Sequence, residues 1–131
     1  MSHTQHAHPV LTDYEQTLLN GWEDVAKRSD LTLWVLLALK DGPKIMAEIK
    51  QFMLTATHGI VDADDKSMYR ALRRFADAEI VAHTTLANPS GPNHKQYALT
   101  PTGGHVLAAY VQRNIVATYF DPEVQKLLHR A

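Results

Sequence analysis

The 131-residue sequence has no cysteine, no long apolar run and almost no net charge. Without cysteine there is no disulfide framework, no thiolate nucleophile and no zinc site built on thiolates. The longest apolar run, residues 33–39, is far shorter than the roughly 20 residues that span a bilayer, and the first nine residues lack the pattern of a secretory signal. We therefore expect a soluble, cytoplasmic protein with one domain.

The charge balance limits how the chain can bind a polyanion. Thirteen Lys and Arg residues against 14 Asp and Glu residues give a formal net charge of −1. Bulk electrostatic coating of nucleic acid is thereby excluded, because that mode needs a large positive excess. Any affinity for nucleic acid has to come from local clustering of basic side chains.

Sequence signatures of enzymes are missing as well. The chain has no G-x-S-x-G, P-loop or G-x-G-x-x-G motif. His3, His6 and His8 stand in a polar N-terminal segment without a carboxylate or cysteine beside them, so we predict no metal site. The expectation is a protein that is not an enzyme and needs no cofactor.

The periodicity of apolar residues predicts a mainly α fold with one small β-hairpin. Capping residues and Gly-Pro or Asp-Pro pairs set the predicted boundaries. Thr12 and Glu15 are predicted to form a capping box for the first helix, and Asp30 is predicted to cap a second one. The predicted elements are a flexible tail over 1–9, helices over 13–28, 31–41, 44–56 and 66–78, strands over 80–86 and 94–99, a long helix over 101–120 and a short helix after 121.

The last three helices before the hairpin are those over 31–41, 44–56 and 66–78. Three helices followed directly by a hairpin are the layout of a winged helix-turn-helix. In that fold the third helix, here 66–78, enters the major groove of DNA, and the hairpin, here 80–99, lies along the backbone as a wing. Arg70, Arg73 and Arg74 share one side of the third helix because they are three and four residues apart. Such a face is often merely solvated, but the adjacent hairpin favours contact with DNA.

The candidate DNA-binding residues lie on the third helix and the wing. They are Lys66, Ser67, Tyr69, Arg70, Arg73, Arg74, His94 and Lys95. Arg70 and Arg74 are predicted to reach base edges and Arg73 a phosphate, since guanidinium groups pair with both. Tyr69 either donates to a phosphate or packs against the wing, Ser67 either donates to a phosphate or helps to cap the helix, and Lys95 is either a contact or a solvated charge.

The helix over 101–120 has more apolar surface than one domain can bury. This surplus predicts a second copy related by a two-fold axis, whose symmetry suits a palindromic operator. The N-terminal helix is expected to pack on the partner as well. Four aromatic residues are candidates for an effector pocket near that interface, although one of them, Trp34, also suits an ordinary core position. They are Trp22, Trp34, Tyr110 and Tyr119.

Three segments of the chain resemble the PadR family of bacterial transcriptional regulators. They read LLALKDGP over 36–43, SMYRALRRF over 67–75 and KQYALTPTG over 95–103. The Tyr-x-x-Leu element from Tyr69 and the Tyr-x-Leu-Thr-x-x-Gly element from Tyr97 are the most specific parts. The resemblance implies a DNA-binding winged helix that dimerises through C-terminal helices, represses genes and in several members responds to small aromatic or amphipathic compounds.

The chain departs from the family pattern at two places. Met46-Ala47 stands where the family often has Gly-Tyr, which removes a possible backbone contact. Glu79 replaces a glycine before the first wing strand, and it is strained if its φ is positive.

Asp62, Asp64 and Asp65 precede the third helix, where they suit helix capping but repel phosphates.

Taken with the resemblance, the residues predict a homodimeric transcriptional regulator, most simply a repressor that binds double-stranded DNA operators. The alternative is a winged-helix protein-interaction module without specific DNA binding, in which the arginine face contacts an acidic protein surface. The predicted division of the chain is a tail (1–9), an N-terminal helix (10–29), a winged-helix DNA-binding domain (30–100) and C-terminal dimerisation helices (101–131).

Overall fold

The computed structural model describes residues 10–129, so the predicted tail over 1–9 and its three histidines lie outside the described residues. The fold is mostly helical with a small antiparallel sheet, which confirms the predicted fold class. The elements are α1 (Asp13–Asp41), β1 (Lys44–Ile45), α2 (Met46–Ala56), α3 (Asp65–Asp77), β2 (Val81–Leu86), β3 (His94–Leu99), α4 (Pro101–Val111) and α5 (Pro122–His129). No helix within residues 10–129 is long and apolar enough to cross a membrane.

The first helix is continuous where the sequence predicted two. The capping box at Thr12 is confirmed: the Glu15 N–H donates to Thr12 Oγ1 and the Thr12 N–H donates to Glu15 Oε1. The predicted break at Asp30 is wrong, and α1 runs for 29 residues, roughly 43 Å at 1.5 Å per residue. Neither glycine nor proline lies between Gly21 and Gly42, so nothing in the backbone forces a break.

The prediction that a helix begins at residue 44 is also wrong. Lys44 and Ile45 form a short strand instead, paired antiparallel with Tyr97 and Gln96 of β3. The helix begins at Met46, and Glu48 accepts a hydrogen bond from the Ile45 N–H. The sheet therefore has three strands in the order β1-β3-β2, and the wing is joined to the start of α2.

The core lies where the C-terminal half of α1 meets α2, α3 and the sheet. Its fully buried side chains include Val35, Ile49, Met53, Met68 and Leu72. Tyr97 from β3 and Leu107 from α4 close the same cluster. Because α1 contacts the core through its stretch from Leu31 to Leu39, the N-terminal half of this helix extends from the core with little of its surface covered.

The turn after α3 and the start of α4 meet at the carbonyl of Ile80. The Thr100 N–H donates to this oxygen at 3.0 Å, and the Thr100 hydroxyl contacts the carbonyls of both Glu79 and Ile80. Glu79 has φ 60°, which is the left-handed conformation anticipated for a position where a glycine is usual. This contact, which we call the Ile80 junction, fastens together the end of α3, both ends of the wing and α4.

The C-terminal helix continues beyond α4 through a π-helical turn, Gln112–Val116, and a last helical turn, Ala117–Tyr119. Side-chain donors support this widened segment: Asn114 Nδ2 donates to the Tyr110 carbonyl and the Thr118 hydroxyl to the Arg113 carbonyl. The predicted helix over 101–120 is thus present, with a local irregularity of the kind that often marks functional segments.

Residue 103 has to be a glycine because the Ile80 junction leaves no room for a side chain there. A Cβ atom at this position would overlap the backbone carbonyl of Ile80. We predict that Gly103→Ala destabilises the protein by about 1–3 kcal/mol, since an overpacked backbone contact forces the helix away. Chemical denaturation followed by circular dichroism measures the change.

Gly104 is the matched control, because it lies in the same helix and its Cβ would meet no atom within 4 Å. Gly104→Ala is expected to raise stability by up to about 1 kcal/mol through helix propensity alone. Equal effects of the two substitutions would contradict the role of Gly103 as a spacer.

Candidate nucleic-acid interface

The start of α3 is fixed by a carboxylate cap. Asp64 has extended backbone angles, and its Oδ1 accepts from the Ser67 N–H at 2.7 Å. This hydrogen bond, helped by the nearby charges of Lys27 and Arg70, holds the pKa of Asp64 below its ordinary value. The acidic connector thereby begins the helix, as the sequence predicted.

One face of α3 is buried and the opposite face is cationic. Met68, Ala71 and Leu72 are buried against the core. Four basic side chains point to solvent, namely Lys66, Arg70, Arg73 and Arg74. None of them takes part in an ion pair with a carboxylate of residues 10–129. The charges are thus available to a polyanion, and Arg70, Arg73 and Arg74 share the exposed side of α3, as their spacing predicts.

A groove of about 600 Å³ separates α3 from the wing and α2. We call it the wing groove. Tyr69, His94 and Lys95 line it from α3 and β3, and Lys50, Gln51 and Asn93 are further polar lining residues. Tyr69 is 57 % exposed, while the neighbouring Tyr97 is buried, which raises the pKa of the Tyr97 hydroxyl. The wing groove therefore has a mixed polar and apolar lining, to which α3 contributes Asp65 and Tyr69, and the cations of α3 lie outside it.

An ion pair across the wing groove neutralises an acidic residue of the interface. Lys50 Nζ lies 2.7 Å from Asp65 Oδ1, joining α2 to the first turn of α3. This hydrogen bond raises the pKa of Lys50. With Asp64 engaged in capping and Asp65 paired, two of the three connector carboxylates are held in contacts within the protein. The Lys50 ion pair offsets the charge of Asp65, whereas the lowered pKa of Asp64 keeps that carboxylate ionised.

The structure places Tyr69, His94 and Lys95 along the wing groove and Ser67, Arg70 and Arg74 along a second groove, between α3 and α1. Lys66, Tyr69, the three arginines, His94 and Lys95 are all exposed, and Ser67 is half-buried beside the Asp64 cap. Lys50, Gln51 and Asn93 were missed. Their place in the wing groove follows from how α2 packs on α3, which no local sequence pattern shows.

The four aromatic residues predicted for an effector site differ in their surroundings. Trp34 is half-buried against the core, whereas Trp22 is 76 % exposed on the free half of α1. Tyr110 and Tyr119 are exposed on the C-terminal helix. A single chain thus does not enclose the four side chains in one pocket.

Three helices, a cationic third helix and a wing define the class of winged-helix DNA-binding regulators. A family model, "Transcriptional regulator PadR-like family", matches residues 35–109, more than half of the chain. The chain belongs to the PadR-like family of transcriptional regulators. No curated protein matches the sequence.

Solved structures share the fold at low sequence identity. A PadR family transcriptional regulator from Eggerthella lenta has 21% identity and a TM-score of 0.66, covering 92% of this chain and 100% of its own. Bacillus subtilis PadR in complex with operator DNA has 21% identity and a TM-score of 0.59, covering 75% of this chain and 56% of its own. A PadR-like regulator from Bacillus cereus has 23% identity and a TM-score of 0.61, with 79% and 95% covered.

The Asp64 cap generates a pH-dependent prediction. The lowered pKa means that the folded state favours the ionised carboxylate, so the stabilisation is present above its ordinary pKa and disappears as pH falls through the lowered value. Asp64→Ala is expected to lower the melting temperature at pH 7 by a few degrees, on the order of one lost helix cap.

The difference in melting temperature between wild type and Asp64→Ala should shrink below about pH 4, where the unfolded aspartate is protonated. Asp64→Asn is the control, because an amide still accepts the hydrogen bond and does not titrate. A difference that stayed constant down to pH 2 would rule out the ionised carboxylate as the stabilising form.

Proposed function

We propose that this protein is a homodimeric, DNA-binding transcriptional repressor of the cytoplasm, in which α3 enters the major groove and the wing lies on the backbone. It acts by binding rather than by catalysis. The observation that carries the proposal is the exposed cationic face of α3, on a helix that borders a wing whose His94 and Lys95 line the groove between them. The Bacillus subtilis PadR structure contains operator DNA, which supports this partner.

The position of each side chain on α3 suggests its role. Lys66, Arg70 and Arg73 lie opposite the buried Met68 and Leu72, so they project furthest from the protein. Arg70 lies in the N-terminal half of the helix, the part that contacts base edges in helix-turn-helix proteins. Tyr69, His94 and Lys95 line the wing groove, where they suit phosphate contacts.

Two exposed apolar surfaces support dimerisation. The first is the stripe Tyr14, Leu18, Trp22 and Val25 on α1, where Val25 is 85 % exposed. The second is on the C-terminal helices and contains Val106, Tyr110, Tyr119, Phe120, Leu127 and Leu128. Apolar stripes of this extent suit a protein interface. A two-fold dimer would cover both and would present two copies of α3 to a palindromic site.

The dimer also provides the setting for an effector. Trp22, Tyr110 and Tyr119 lie on the surfaces that a second copy would cover, and exposed aromatic rings from two subunits can enclose a flat aromatic ligand. We propose that such a ligand changes the separation of the two α3 helices and releases the operator. Trp34, half-buried in the core, is the least suited of the four residues.

The arginine face can be tested on duplexes selected from a random pool. Arg70→Ala is expected to weaken binding by about 1–3 kcal/mol, or roughly 5- to 150-fold in Kd, and to relax the preference at one base pair. Arg73→Ala is expected to weaken binding evenly across sequences. Fluorescence anisotropy measures both, and Lys126→Gln, an exposed change on α5, serves as control.

A wild-type protein that selects no duplex at low salt would contradict DNA binding and support the alternative, a protein-interaction module. That alternative retains the same surface but directs it at an acidic protein. Guanidinium forks match carboxylates as well as phosphates, so the feature that favours DNA is the wing beside a helix of this orientation.

The dimer interface generates a separate prediction. Trp22→Glu combined with Val25→Glu places two charges on the exposed stripe of α1 and is expected to convert the dimer to monomers, since burying unpaired carboxylates is costly. Light scattering after size exclusion measures the mass. Glu23→Ala, a change at an exposed polar position between them, should leave the dimer intact, and a wild-type monomer would refute the interface.

A further inference from the structure

A second groove borders α3 on the flank away from the wing. It has a volume of about 590 Å³ and lies between α1 and α3. We call it the α1 groove. Lys27 and Arg28 line it from α1, and Arg70 and Arg74 line it from α3. Lys27 and Arg28 both lie outside residues 35–109, the part of the chain that matches the family model.

The continuity of α1 fixes these two cations in space. Both precede Leu31 and Thr32, which line the same groove, and Leu31 packs on the core cluster. Since the helix runs without interruption into the buried residues Val35 and Leu36, Lys27 and Arg28 are held by the core rather than by a loop. A helix break at Asp30 would have left them on a separate element.

The charge of the α1 groove is positive. Its ionisable lining consists of Lys27, Arg28, Arg70 and Arg74 against Asp24 and Asp62, which gives +4 and −2, a net charge of +2. No ion pair among residues 10–129 engages any of the four cations. Lys27 and Arg70 both act on the Asp64 carboxyl, lowering its pKa, so charges from both helices meet at the start of α3.

The two grooves lie on opposite flanks of α3. Asp65 and Tyr69 face the wing groove, whereas Ser67, Arg70 and Arg74 face the α1 groove. A helix about 10–12 Å across fills a major groove that is about 12 Å wide, so a sugar-phosphate backbone borders it on each side. In the proposed complex the wing contacts the backbone on one side of α3. The backbone on the other side requires a cationic surface on the opposite flank of the helix.

We propose that the α1 groove binds the phosphate backbone of duplex DNA on the flank of α3 away from the wing, with Lys27 and Arg28 as phosphate contacts. This inference rests on the proposed DNA-binding function and adds to it a contact surface outside the winged helix proper. An acidic protein segment would suit the same charges, but Arg70 and Arg74 belong both to this groove and to the helix proposed to enter the major groove, which favours the backbone.

The test compares Lys27→Gln/Arg28→Gln with wild type on a duplex selected by the wild-type protein. Each phosphate contact contributes about 0.9 to the slope of log K against log salt concentration. Losing two contacts is expected to reduce the slope by about 1.8 per subunit and to weaken binding equally on matched and mismatched duplexes. Glutamine keeps the helix propensity of both positions, and both are exposed, so the fold should persist.

Two control variants make the result specific to charge. Lys27→Arg/Arg28→Lys keeps both charges and should retain the wild-type slope. Asp24→Asn removes a carboxylate from the same groove and should tighten binding. A wild-type slope for the glutamine variant, with Arg73→Ala still impairing binding, would overturn the inference alone. Failure of the wild-type protein to bind any duplex would instead overturn the proposed function on which it rests.

Discussion

The hydrogen-bonded contact at the carbonyl of Ile80 determines how the parts of this molecule are arranged. A single backbone oxygen accepts from the Thr100 backbone N–H and lies 3.1 Å from the Thr100 hydroxyl, and the absence of a side chain at Gly103 lets α4 approach it. The turn after α3, the first strand of the wing, the end of β3 and the start of α4 all meet there. The wing, the end of α3 and the start of α4 are therefore connected through the same hydrogen-bonded contact.

The long first helix combines three roles on separate stretches and faces. Its C-terminal half supplies Val35, Leu36, Ala38 and Leu39 to the core. Its N-terminal half presents the apolar stripe that includes Trp22, and between them Lys27 lies on the side facing α3. Because one uninterrupted rod carries all three, the geometry of a subunit contact made by the stripe is linked rigidly to the core and to the flank of α3.

Much of the fold could be predicted from the sequence, because its signals are local. Capping at Thr12 and Asp64, the apolar periodicity of α3 and the turn-rich loop of the wing each depend on residues a few positions apart. Other features depend on distant partners. The β1 strand exists because Lys44 and Ile45 pair with β3, and the Lys50–Asp65 ion pair depends on how α2 crosses α3. The predicted break at Asp30 illustrates a different limit, since aspartate caps some helices and continues others, and the core contacts of α1 decide between them.

The candidate site shows how a chain with a net charge of −1 can present a positive surface. The acidic connector lies directly before α3, yet its carboxylates serve internal purposes: Asp64 accepts from the Ser67 N–H and Asp65 pairs with Lys50. The arginines of α3 have no such partners among residues 10–129. At the start of α3, two acidic side chains thus have contacts within the protein, while the basic side chains of the helix are left to solvent. It is this separation, rather than the total charge, that sets the electrostatic field facing a polyanion, because exposed charges more than about 10 Å away are largely screened by salt.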